Sequence, residues 1–177
     1  MAGHHIPQAE PDLLFFATSD IALAVKPGHS VTLAKGGFFM PLVFVAKSNS
    51  LSEWGDDVGL TRYLYKLCVA QESAEATLAE MNEAKAGGRE DWELLGKPQK
   101  LAKGDEESLF AKLALKEKMI DPAIYPRIRG VRGIFKVKPT NVENHVMVKK
   151  ALAGEGEKIV KAKAPDIAAY LIHNATK

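Results

Sequence analysis

A single cysteine, Cys68, stands in a chain of 177 residues, so no disulfide can form within it and nothing asks for an oxidising compartment. Stability has to come from an ordinary core, and a chain of this length buries roughly two-thirds of the surface its unfolded form exposes. Long hydrophobic runs are missing as well. The longest, residues 38–46, contains Pro41 and falls far short of the about 20 apolar residues of a membrane-spanning helix. Residues 1–10 hold no lysine or arginine ahead of an apolar stretch, which is not the pattern of a secretory leader. These absences predict a cytoplasmic protein with no membrane association.

Chemical motifs are equally scarce. The histidines are His4, His5, His29, His145 and His173, and no two are three or four apart. No helix therefore presents a pair of metal ligands on one face, and one cysteine makes no zinc knuckle. No metal and no cofactor is expected, and His145 and His173 read as partly buried helix residues. No glycine-x-serine-x-glycine elbow occurs. Cys68 lies between Leu67 and Val69 in an apolar stripe, where a thiol packs rather than attacks. Lys35-Gly36-Gly37 and Gly87-Gly88 lack the spacing of phosphate loops. Glu83-Ala84-Lys85 has the letters of a nuclease triplet but ends an alanine-rich helical stretch. Catalytic residues are therefore read as none. No stretch matches a motif closely enough to name a family.

Charge is what the chain has. The net charge is only +2, yet residues 48–98 hold ten acids against five bases, a net of −5. Residues 123–177 hold eleven bases against four acids, a net of +7. Hydrophobic residues at 46% and charged residues at 26% are otherwise ordinary for a globular protein.

Periodicity predicts an α+β fold, with an N-terminal antiparallel β-meander followed by helices and one or two further strands. Residues 1–11 read as a flexible lead and 12–177 as a single domain. Strands are expected at 13–18, 21–25 and 30–34, then over 38–46. That last run is apolar enough to be covered on both faces, with a break at Pro41. Residues 48–57 read as a polar loop. Residues 58–86 read as a helix broken near 71–74 and ended by Gly87-Gly88, and 89–103 as an irregular stretch. Helices follow at 105–120, at 142–153 with Thr140 as N-cap and Gly154 past its end, and at 166–174. Short strands are expected at 131–138 and 158–163.

The candidate site is the basic segment around the 131–138 strand. With a period of two, Val131, Gly133, Phe135 and Val137 face a core, while Arg132, Ile134, Lys136 and Lys138 face outward. Tyr125, Arg127, Arg129, Arg132, Lys136 and Lys138 then form the candidate nucleic-acid or anion site, since a cationic row tracks phosphates and an exposed tyrosine stacks on bases. Lys149, Lys150, Lys158, Lys161 and Lys163 extend the row. The same lysines also suit an edge strand that has to repel other edges, or a face covered by the acidic helix of the same molecule.

The primary reading is a non-enzymatic binding or assembly subunit, in which acidic and basic surfaces associate as a homo-oligomer or with an acidic protein. Nucleic-acid binding through 125–138 is the alternative. An enzyme whose groups converge only in space is the third reading, and a deep pocket lined by His145, His173 or paired carboxylates would favour it.

Overall fold

The apolar run after Pro41 becomes a central strand because both of its faces are buried. In the computed structural model, which describes residues 40–101, 105–155 and 161–177, β1 spans Leu42–Ser48. Val43 and Val45 point into one hydrophobic cluster, and Phe44 and Ala46 into another on the opposite face. The break expected at Pro41 falls immediately before the strand, and the Pro41 carbonyl accepts from the Leu101 amide at 2.7 Å. The three strands expected before residue 38 lie outside the described residues.

Residues 48–57 are helical rather than a polar loop: α1 spans Asn49–Asp57. Ser48 caps it, its Oγ accepting from the Leu51 amide at 3.0 Å, while Leu51 and Trp54, one turn apart, bury the inner face. The long helix expected over 58–86 is instead β2, Leu64–Ala70, followed by α2, Ala74–Glu83. The expected break is the N-cap of α2, where Ser73 Oγ accepts from the Ala76 amide at 3.0 Å. Leu64, Leu67 and Cys68 sit at helical spacing, but a strand buried on both faces produces the same letters. Pairing on both sides of β2 decides the matter.

The stretch read as irregular forms β3, Trp92–Lys100. Between Val43 and Val45 its register against β1 slips, and Gly96 and Pro98 lie in the slipped part. Gly96 has φ +73°, and a Cβ there would stand 2.6 Å from that of Ala168. An edge strand tolerates such a bulge and such a proline. The Asn82 side chain of α2 meets the start of β3, accepting from the Trp92 amide at 2.8 Å and donating to its carbonyl at 3.0 Å.

The helix expected over 105–120 is shorter. α3 spans Glu106–Ala114, capped by Asp105, and β4 follows at Lys118–Met119. The strand expected over 131–138 shrinks to β5, Ile134–Lys136. Pro139 opens α4, Pro139–Leu152, so the helix starts ahead of the expected Thr140 cap, with proline at its first position. Gly154, with φ +76°, follows its end as expected. α5 spans Ala164–Thr176. Of the strand expected over 158–163, residues 161–163 take no regular structure and the rest lies outside the described residues.

The sheet order is β3-β1-β2-β5-β4, with every pair antiparallel. The α+β class read from the sequence holds. One sheet face packs on α3, α5 and Val142 of α4, through Val43, Val45, Leu67 and Phe135. The other packs on α1, α2 and the 120–131 segment, through Phe44, Ala46, Cys68 and Ile134. Among the described residues no helix is long and apolar enough to cross a membrane.

Candidate functional site

Because β5 lies between β2 and β4, the basic strand is interior and not an edge. Its expected outward face is not open either: Ile134 is fully buried and joins Val131 in the cluster under α1 and α2. Phe135 and Val137 belong to the opposite cluster. The alternation holds over Ile134, Phe135 and Val137, but Val131 falls on the Ile134 side rather than with Phe135, and both sides are core.

The six candidate residues consequently separate. Arg132 makes a two-pronged ion pair with Glu107 of α3, one arm at 3.2 Å. Lys136 is half-buried and donates to the Leu60 carbonyl at 2.8 Å. Lys138 is exposed at the α4 N-cap, where its backbone amide donates to Glu117 at 3.1 Å. Tyr125 is half-buried, with its ring edge-to-face on Trp54 at 5.7 Å. Only Arg127 and Arg129, around the short 3-10 turn Pro126–Ile128, are exposed arginines with no acidic partner among the described residues. Arg89 lies nearby on the same sheet face, its guanidinium 5.9 Å from the Trp54 ring centroid.

Other reactive groups are absorbed by the fold. Cys68 belongs to β2 rather than to a helix, and its burial pushes the thiol up to about 11, which disqualifies it as a nucleophile at neutral pH. Asp91 accepts from Ser48 Oγ and Ser50 Oγ, each at 2.6 Å, and from the Ser50 amide at 2.9 Å. Burial works against ionisation there, but these bonds and one from Asn49 outweigh it and hold the carboxyl at about 2. The cluster ties the start of α1 to the start of β3. Its contribution to stability is complete above the ordinary carboxylate range and is lost as pH falls toward 2.

Glu117 is a charged side chain that sequence reading passed over. Only 2% exposed, it accepts from Tyr170 Oη at 2.7 Å, Asn141 Nδ2 at 2.8 Å and the Lys138 amide. Burial, and the carboxylate that accepts its hydrogen bond, push the Tyr170 hydroxyl well above the usual tyrosine range. This network fastens the start of α4 and the middle of α5 to the turn before β4.

α4 and α5 also bring His145 and His173 together, with ring centroids 5.0 Å apart and the Tyr170 ring 5.4 Å from that of His145. Both imidazoles are half-buried, as the sequence suggested. They line an open groove of about 410 Å³ with Lys149, Lys177, Gln99, Val148 and Leu152. The groove is not deep, and no aspartate or glutamate side chain lines it. Burial lowers the pKa of both imidazoles, and Lys149 and Lys177 lower them further. A sequence signal for this pairing exists: His145 precedes Lys149, and His173 precedes Lys177, by one helical turn each. No cluster of three or more metal-ligating residues occurs among the described residues.

The two sheet faces carry different surfaces. On the α1–α2 side, Glu53, Asp57, Glu72, Glu75, Glu80 and Glu83 are exposed with no ion-pair partner among the described residues. On the opposite side, α4 exposes Met147 at 41%, Val148 at 60% and Leu152 at 86%, with Lys149 and Lys150 between them. Comparison with protein-family models, with curated proteins and with solved structures returns no match to the chain.

Proposed function

We propose that the protein is a non-enzymatic, cytoplasmic binding and assembly subunit that associates head to tail with further copies of itself. The observation that carries this reading is the placement of complementary surfaces on opposite faces of one sheet. The unpaired acids of α1 and α2 cannot reach the lysines and apolar side chains of α4 in the same molecule, but they can reach those of a neighbour. Apolar side chains bordered by lysine on one partner and a row of carboxylates on the other give both attraction and register. Such a contact is heterologous, so it extends to chains or closes into rings. The absorption of Cys68, Asp91 and Glu117 into structural roles supports a binding role over catalysis.

Sedimentation velocity across protein concentration tests this. At low salt the mean mass should rise with concentration and should fall again as salt screens the contact. Leu152→Glu should weaken association at least about tenfold, because burying a leucine is worth ~1.5–3 kcal/mol. A particle that stays monomeric at low salt and high concentration contradicts the reading.

The exposed pair Arg127 and Arg129 favours a second reading, nucleic-acid binding through Tyr125, Arg127 and Arg129, with Arg132, Lys136 and Lys138 as neighbours. Fluorescence anisotropy with labelled single- and double-stranded DNA and RNA at two salt concentrations separates the readings. Binding that drops steeply with salt and is lost on double charge reversal, Arg127→Glu with Arg129→Glu, supports it. Absence of binding at low salt removes it.

A further inference from the structure

We propose that the groove between α4 and α5 is a binding site for a small organic anion, an oxyanion group carried on an apolar body. The polar side chains that line it are two imidazoles, two ammonium groups and one amide, from His145, His173, Lys149, Lys177 and Gln99, together with the Thr176 hydroxyl. The Thr176 hydroxyl is committed to the Ile172 carbonyl at 2.9 Å, so the nitrogen donors dominate. No aspartate or glutamate side chain lines the groove. Four groups that repel one another when protonated converge with no acidic side chain among them, an arrangement that an anion turns from repulsive to attractive. The repeated histidine-x-x-x-lysine spacing sets one such pair on each helix, so the convergence comes from both walls.

A cation fits poorly. Lys149 and Lys177 oppose it, and the two histidines find no third ligand among the described residues. Ala169, Val148 and Leu152 supply the apolar wall, and the last two are strongly exposed. Its volume of about 410 Å³ falls within the range of small-molecule sites.

The groups that face the two imidazoles set the pH dependence. Lys149 comes from α4, Lys177 from the end of α5, the Tyr170 ring from α5 and the neutral Gln99 from β3. A second cavity, of about 270 Å³, shares His145, Lys149 and Ala169 with the groove and brings Lys150, Glu155 and Asp166. Its two carboxylates lie outside the groove, and Asp166 accepts from the Lys163 amide at 3.1 Å. A bound anion favours the protonated imidazoles, so affinity rises as pH falls from neutrality. Burial, with Lys149 and Lys177, holds both groups below the ordinary histidine value of 6.5, so the rise continues below that value.

Titration with phenyl sulfate, followed by NMR at the imidazole Cε1–H resonances, tests the proposal, because the charge of this probe stays constant across the range. Saturable shifts of both His145 and His173 are expected, with affinity about tenfold above that for inorganic sulfate from burial of the ring. Binding should tighten several-fold between about pH 7.5 and about pH 5.5. It should fall at least about tenfold in Lys149→Gln, an exposed position on which the fold does not depend.

Phosphatidylcholine vesicles with and without phosphatidate distinguish the source of the anion. Phosphatidate-dependent binding that is lost in Lys149→Gln makes it a lipid headgroup, and vesicle inertness with phenyl sulfate binding makes it a soluble compound. Unmoved imidazole resonances at saturating probe overturn the site, as does binding that Lys149→Gln and His173→Gln both leave unchanged. Glu75→Lys with Glu80→Lys, which blocks assembly from the far side of the sheet, should leave phenyl sulfate binding intact. The two proposals therefore fail separately.

Discussion

Replacement of Gly133 by alanine is expected to cost the fold about 3–5 kcal/mol, whereas the same change at Gly130 costs about 1 kcal/mol. Both glycines have a positive φ, +76° and +82°, so both substitutions carry the strain of a left-handed backbone. They differ in surroundings. A Cβ at Gly133 would enter the Phe110 ring and approach the Leu67 carbonyl oxygen to 2.9 Å, while nothing lies within 4 Å at Gly130. Neither neighbour of Gly133 has room to move. Phe110 is packed edge-to-face on Phe135, and the Leu67 amide donates to the Gly133 carbonyl at 2.9 Å. The loss is a large share of the roughly 5–15 kcal/mol that holds a domain together. Urea denaturation of the two variants measures the difference. Equal costs would show that β2 and α3 do not close around Gly133.

Glu117→Leu is expected to destabilise the protein by about 3 kcal/mol, and Tyr170→Phe by about 1.5–3 kcal/mol. The leucine removes one acceptor and strands three donors, the Tyr170 hydroxyl, the Asn141 amide and the Lys138 backbone N–H. A buried donor without a partner costs more than a hydrogen bond gains, because its water is lost and not replaced. Glu117→Gln keeps an acceptor in place and should cost less than Glu117→Leu. Thermal unfolding orders the series. A Glu117→Leu variant as stable as the parent would show that the carboxylate is not the fastening point of α4 and α5.

These two positions also mark where sequence reading succeeds and fails. The run after Pro41 was legible as a strand buried on both faces, because uninterrupted apolar letters over that length leave few alternatives. β2 was not, since Leu64, Leu67 and Cys68 satisfy helical spacing and two-sided burial equally, and the deciding partners, β1 and β5, lie elsewhere in the chain. β3 was hidden by Gly96 and Pro98, which ordinarily end a strand and here make a bulge on an edge. In the candidate site, the letters around 125–138 showed which residues are basic and not how the fold separates them. They carried no information that Glu107 would take Arg132 or that the Leu60 carbonyl would take Lys136. The groove of His145 and His173 was split between two helices, and only the repeated one-turn spacing to lysine hinted at it. Glu117 looked like any glutamate near the end of a charged helix.

The most direct test of assembly is a mixing experiment between two variants, each disabled on one face. Glu75→Lys with Glu80→Lys removes the acidic face of α2, and Val148→Glu with Leu152→Glu removes the apolar face of α4. Sedimentation velocity of each variant alone should show a monomer. An equimolar mixture should form a defined dimer and no larger species, because one intact acidic face meets one intact α4 face and each partner then has only a disabled face left. A mixture that remains monomeric while the unaltered protein assembles contradicts the head-to-tail account.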